Sequence, residues 1–268
     1  MRRYFALLLL ILTPWALSAQ ILNIEKERTE DSDSTKWMGN LGANFTLQNQ
    51  QVQSMIFSLN SNLTYYGTTH AYIMIGELEM LKGNGSLLES QGYGHIRTNL
   101  FHKKRLSYEL FGQIQYDQVR GMQQRYLGGG GVRYALHSKE KVKIAIGTGA
   151  MFEHEGWEWT ITENEVDETL GWNEGDVISR ITDRLKNNTY CSVTYDISDE
   201  TSINCIVYYQ AMFETLDEPR ISSEFNFQVG LSEHMKFNLM ASLWHDAAPV
   251  VPIKQTNYTI ENGVVFSF

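Results

Sequence analysis

From Trp37 to the C-terminus the chain alternates apolar and polar residues with a period of two, segment after segment. In "WMGNLGANFTL", Trp37, Leu41, Ala43, Phe45 and Leu47 share one face, and Asn40, Asn44 and Thr46 the other. "MIFSLNSNLTYY" sets Met55, Phe57, Leu59, Leu63 and Tyr65 against Ser58, Asn60, Asn62 and Thr64. "SYELFGQIQYD", "KVKIAIGTGAMF", "INCIVYYQAMF", "ISSEFNFQVGL" and "MKFNLMASL" repeat the pattern. A period of two puts alternate side chains on opposite faces of a strand, and helical spacing is scarce. The segments number about twelve and run roughly 11–15 residues, beyond the 5–6 usual in soluble sheets and close to what a tilted strand needs to cross a bilayer.

The connections alternate as well. Links at 67–70, 102–105, 137–140, 198–200 and 232–234 are tight and polar, whereas 82–90, 155–183, 214–219 and 245–255 are longer; 48–52 and 118–121 are short links on the longer side. Tight turns at one end and longer loops at the other predict an all-β fold, an antiparallel up-and-down transmembrane β-barrel of about 12 strands over 36–268, with termini and tight turns facing the periplasm.

"RYLGGGGVRY" (125–134) tests that reading, because four glycines beside arginines could cradle phosphate. A phosphate loop needs Lys-Ser or Lys-Thr and then a helix; Val132, Arg133 and Tyr134 follow here. On the phase of Tyr126 and Val132, Gly129 and Gly131 face the lumen, so the run is expected to kink a strand and leave room for neighbouring side chains.

Composition sharpens the picture. Met1-Arg2-Arg3, the apolar Tyr4–Leu17 and Ser18-Ala19-Gln20 read as a signal peptide over 1–19, followed by a short periplasmic segment at 20–35. No later stretch reaches ~18 consecutive apolar residues, which excludes helical spans but not a barrel, whose alternating strands average out to a mean hydropathy such as −0.30. The net charge is −9, and −11 without Arg2 and Arg3. That sign argues against nucleic acid as a partner. Four prolines and no Ser/Gly linker suit one domain.

Two features resemble known proteins. Val264, Phe266 and the terminal Phe268 are similar to the C-terminal signal read by the barrel-assembly machinery of outer membranes. "GNLGANFTLQ" (39–48), "GYGHIRTNLF" (92–101), "LSYELFGQIQYDQVRGMQQRYLGGGGVRY" (106–134) and "NGVVFSF" (262–268) resemble the family of salt-induced outer-membrane proteins, a domain of unknown function of type 481. That resemblance implies a barrel in the outer membrane of a Gram-negative bacterium, in contact with its lipid and lipopolysaccharide, and it supplies no catalytic residues.

Candidate chemistry is sparse. The lumenal face is expected to carry Glu77, Glu79, His95, Arg97, Glu109, Asp117, Arg125, Arg133, Lys143, Glu224, Lys236 and Glu261, with mixed signs that suit ion pairs, such as Arg97 near Glu109. About twelve strands fall between a filled barrel of eight and an open channel of sixteen. Of seven histidines, four lie in tight turns, and His154 and His245 flank outer loops without a neighbouring serine. The stretch 153–176 bears nine carboxylates and no Lys or Arg, and reads as a solvated acidic loop, or as a cation site with Trp157 and Trp159 near the outer leaflet. Cys191 and Cys205 are equidistant from Ser198, which would set them opposite each other for a cross-strand disulfide. No metal centre or cofactor is expected. The expected function is non-enzymatic, in envelope or osmotic adaptation or as a narrow porin-like pore for small solutes. A lipid-modifying enzyme of phospholipase or lipid A deacylase type and a plugged structural barrel are the alternatives.

Overall fold

A computed structural model describes residues 37–266 apart from 50–52, 168, 170, 199 and 233. The expected signal peptide, the segment 20–35 and Phe268 lie outside the described residues. Twelve strands follow in order: β1 (Trp37–Asn49), β2 (Gln53–Tyr66), β3 (His70–Gly83), β4 (Ser86–Leu100), β5 (Leu106–Asp117), β6 (Met122–Lys139), β7 (Val142–Thr160), β8 (Val177–Ser198), β9 (Thr201–Met212), β10 (Arg220–Ser232), β11 (Met235–Asp246) and β12 (Thr256–Phe266). Each pairs antiparallel with its sequence neighbours in a single sheet running from β1 to β12. The fold is therefore the all-β, up-and-down barrel that the alternation predicts.

Contacts between distant strands show the curl. Tyr190 on β8 donates to Glu109 on β5 at 2.8 Å, Arg220 on β10 reaches Glu155 on β7 at 2.9 Å, and Arg120, between β5 and β6, lies 5.3 Å from the ring centre of Trp244 on β11. A flat sheet would hold such strands ~15 Å or more apart at ~4.8 Å per strand. The seam falls between β1 and β12, which among the described residues each pair with one neighbour.

Polarity is inverted relative to a water-soluble protein. Among the described residues the interior buries 22 polar or charged side chains against 14 hydrophobic ones, while Leu41, Phe45, Met74, Ile96, Leu110, Ile114, Phe152, Ile181, Leu185 and Ile260 are exposed outside. On β5 the switch is strict: Ser107, Glu109, Gln113, Gln115 and Asp117 are buried, and Tyr108, Leu110 and Ile114 exposed. Burying charge without partners costs several kcal/mol per ion, so the interior must be organised by pairing.

Two length expectations need correction. The 82–90 link is a two-residue turn, Asn84-Gly85, with φ of 50° and 82°. Left-handed backbone at both positions is what Asn-Gly tolerates in a tight hairpin. The 155–183 stretch is mostly hairpin: β7 and β8 stay paired out to Thr160↔Val177, leaving a loop only at 161–176. These two strands reach 19 and 22 residues, against the expected 11–15.

The glycine run does not interrupt pairing. β5–β6 pairing continues unbroken from Leu106↔Tyr134 to Gln115↔Arg125, and the β6–β7 register shifts on either side, at Met122/Gln124 and Ala135/His137. The glycines make space, as expected. A Cβ on Gly129 would sit 2.8 Å from the Phe111 ring, and one on Gly147, inside β7, 2.1 Å from the Tyr190 ring. With the wall stripped to backbone there, Tyr190 lies over it and reaches Glu109.

Candidate functional site

All twelve predicted lumenal residues have inward strand parity, but they occupy different depths. Glu79, His95, Arg97, Glu109, Asp117 and Arg125 are buried, Glu77, Arg133 and Glu224 half-buried, and Lys143, Lys236 and Glu261 exposed. Lys143 and Lys236 stand at the tight-turn rim, where β7 and β11 begin.

Four of the six buried members fall into two hydrogen-bonded groups. Arg97 Nη1 donates to Glu109 at 3.2 Å, and its guanidinium lies 5.0 Å from the centre of the Phe111 ring. His95 pairs with Gln113 at 3.0 Å, Gln113 donates to Gln115 at 3.0 Å, and Arg125 Nη1 donates to Gln115 at 3.3 Å.

Arg125 then enters an ion network that sequence reasoning missed. Glu153 pairs with Arg125, with Lys186, and with Arg220 at 3.1 Å. Glu155 pairs with Arg125 at 3.2 Å and with Arg220 at 2.9 Å, and Arg220 with Asp246 at 2.9 Å. Three cations thus meet three carboxylates, from β6, β7, β8, β10 and β11, and all six are buried. Glu153 and Glu155 are 0% exposed, so they are no part of a solvated loop. Their shared phase with Met151 and Trp157, at a spacing of two along β7, was the available signal. Arg220 and Asp246 escaped notice because they are paired terminal residues of β10 and β11, at the edge of what read as loops.

The network has a lid. The 247–255 connection folds over the long-loop mouth: Val251 is buried against Met122 and Trp157, with Val250, Ile253 and Trp159 packed around them. Ala247 N donates to Pro219 O at 3.1 Å, and Ala248 N to Asp246 Oδ1 at 3.2 Å. Trp157 therefore faces inward and not toward a lipid leaflet.

The described residues of loop 161–176 form hydrogen-bonded turns. Thr162 donates its backbone N–H to the Glu165 carboxylate at 2.9 Å and its hydroxyl at 2.8 Å, and Trp159 Nε1 donates to it at 3.0 Å. The backbone bond above all holds the Glu165 carboxyl below the usual carboxylate range. Among the described residues no three His, Cys, Asp or Glu are grouped to hold a metal ion.

Two further expectations change. Cys191 pairs with Val207 and Cys205 with Val193, because the hairpin carries a register shift at Asp196/Ser198. The two thiols are diagonal neighbours and free. His154 has a carboxylate partner, Asp183 Oδ1 at 2.7 Å from Nδ1, placed 29 residues downstream and brought opposite by the β7–β8 register. Its other ring nitrogen lies 3.5 Å from Gln124 Nε2, where a nucleophile would have to stand.

Comparison of shape with solved structures finds the NanC porin in its rhombohedral crystal form, at 8% identity and a TM-score of 0.43, covering 86% of this chain and 99% of that one. It also finds the CymD monoaromatic hydrocarbon channel, at 8% identity and a TM-score of 0.38, covering 88% and 80%. No curated protein matches the chain. Residues 39–268, nearly all of the barrel, match the family model of a protein of unknown function, DUF481, and the chain belongs to that family.

Proposed function

We propose that this is a non-enzymatic barrel of the Gram-negative outer membrane, exported under residues 1–19, preceded by a short periplasmic segment at 20–35 and inserted as one domain over 36–268. Its lumen is stoppered at the outer mouth and open toward the periplasm. The apolar exterior supports insertion in lipid: large exposed apolar side chains ring the barrel, and a soluble monomer rarely shows apolar patches beyond a few hundred Å². The strands, none shorter than 11 residues, are long enough to cross. Phe266 and Val264, exposed on β12, suit recognition by the assembly machinery, with Phe268 completing the motif.

The ion network carries the functional reading. Six charged groups from five strands fill the lumen just below a folded-in loop, so the barrel is a plugged structural element at rest and not the narrow pore that strand number alone suggests. Reconstitution in planar bilayers tests this. Wild type is expected to give no steady conductance, and a stable open channel at low voltage would overturn the reading. The enzymatic alternative would rest on the His154–Asp183 pair; unchanged lipid A and phospholipid masses with and without expression are expected, and a missing acyl chain would favour it.

A further inference from the structure

At the tight-turn end, the one described as open, the barrel contains a cavity of about 730 Å³. Its inner wall is made of small side chains, Ala71, Ser107, Ala135, Ala145, Ser192 and Thr194, which is why space remains there. The row beneath, Glu109 and Tyr190, closes it from the ion network. Six cations line it, Lys103, Lys104, Arg105, Arg133, Lys139 and Lys143, and no carboxylate does so among the described residues.

That sign runs against the whole chain, whose net charge is −9. The cations come from the β4–β5 turn, from Lys139 at the end of β6, and from inward positions at Arg133 and Lys143, so they gather along one arc of the wall, from β4 to β7. Arg133 is oriented inward and donates to Ser192 Oγ at 3.4 Å, while Lys104 and Arg105 stand at the rim, 4.7 Å and 4.8 Å from the centres of the outward Phe101 and Tyr134 rings. On the wall stands Asn99, 5% exposed, whose Oδ1 has no hydrogen-bond partner. Turned by 180° about Cβ–Cγ, the same group offers Nδ2 donors.

We propose that this vestibule is a binding site for a small polyanion, a soluble molecule carrying two or more phosphate, sulfate or carboxylate groups. The volume is that of a small-molecule pocket, and a cleft lined by charges of one sign with low-dielectric walls focuses the field within it. The walls supply hydroxyl and amide donors for oxyanion oxygens. That the site faces the periplasm rests on the proposed orientation; the binding itself does not.

The test is calorimetry on the full barrel in neutral detergent, with tripolyphosphate as the probe and spermidine as the cationic control. Saturable binding of one tripolyphosphate per chain is expected, weakening as ionic strength rises from about 10 to 150 mM and the screening length falls from about 30 to 8 Å. Lys104→Gln, Lys139→Gln and Lys143→Gln together should weaken it at least about tenfold, the sum of three charges each at ~8 Å from one unit of probe charge in water-like dielectric, while Lys254→Gln on the opposite loop should not. Lysine acetylation of wild type, which needs no variant, should show Lys104, Lys139 and Lys143 shielded by the probe and Lys254 unshielded. Absence of saturable heat, equal binding by spermidine, or unaltered acetylation would overturn the proposal. Competition by phosphatidylglycerol would assign the site to a lipid headgroup phosphate and overturn the soluble ligand; no competition supports it.

Discussion

Replacing Glu153 with Gln keeps the shape of the side chain and removes the charge that three cations share. In wild type, Arg125, Lys186 and Arg220 balance Glu153, Glu155 and Asp246. After the change Arg125 keeps Glu155 at 3.2 Å, and Arg220 keeps Glu155 at 2.9 Å and Asp246 at 2.9 Å. The loss falls on Lys186, whose ion pair is with Glu153 and whose side chain is 4% exposed. Stripping one member from a buried pair costs about 3–5 kcal/mol, or roughly two to three and a half orders of magnitude in the folding equilibrium at ~1.4 kcal/mol per decade. Glu153→Gln combined with Lys186→Met removes both partners and should recover most of that, since an apolar residue of similar volume can replace a buried ion. Urea unfolding in phospholipid vesicles, followed by tryptophan fluorescence, measures both variants. Asp183→Asn, at a pair whose carboxylate is 58% exposed, is the control and should cost less than about 1 kcal/mol. A loss below about 1 kcal/mol for Glu153→Gln, or a double variant weaker than the single one, would refute the reasoning.

Other outcomes follow from the same geometry. Gly147→Ala drives a methyl into the Tyr190 ring and should destabilise by about 1–3 kcal/mol, whereas Gly263→Ala, with nothing within 4 Å, should be near neutral in the same unfolding assay. Mass spectrometry after alkylation of unreduced, denatured protein should show both Cys191 and Cys205 labelled; a disulfide would leave neither labelled. Glu165 has a depressed folded pKa, so its cap stabilises the loop above the unfolded carboxylate pKa and is lost as pH falls through the folded one. A change in Trp159 fluorescence at acid pH, absent in Glu165→Gln, checks this.

Much of the barrel was legible because its strands are wetted differently on their two faces, and period two is the direct imprint of that asymmetry. The inward parity of Arg97, Glu109 and Arg125 came from phase alone. Phase lost its grip where an element ended. Glu153 and Glu155 carry the right parity, but their acidic neighbours made the segment read as loop, and only the cations of β8 and β10 show why they are buried. Turn chemistry overruled apparent length at Asn84-Gly85. One register shift of a hairpin separated Cys191 from Cys205, because midpoint arithmetic knows nothing of bulges. The lid at 247–255 has no periodic signature: Val251 is buried by residues more than 90 positions away.

The account stands on which face of each strand meets hydrocarbon. Its most direct test is a spin-label scan along β5 in liposomes, in a chain carrying Cys191→Ser and Cys205→Ser. Labels at Tyr108, Leu110 and Ile114 should relax strongly with oxygen and weakly with an aqueous nickel chelate, whereas Glu109, Gln113 and Gln115 should show little oxygen access. The same access at both sets, or nickel reaching the Leu110 and Ile114 positions more readily than oxygen, would contradict a barrel with lipid outside and paired charge within.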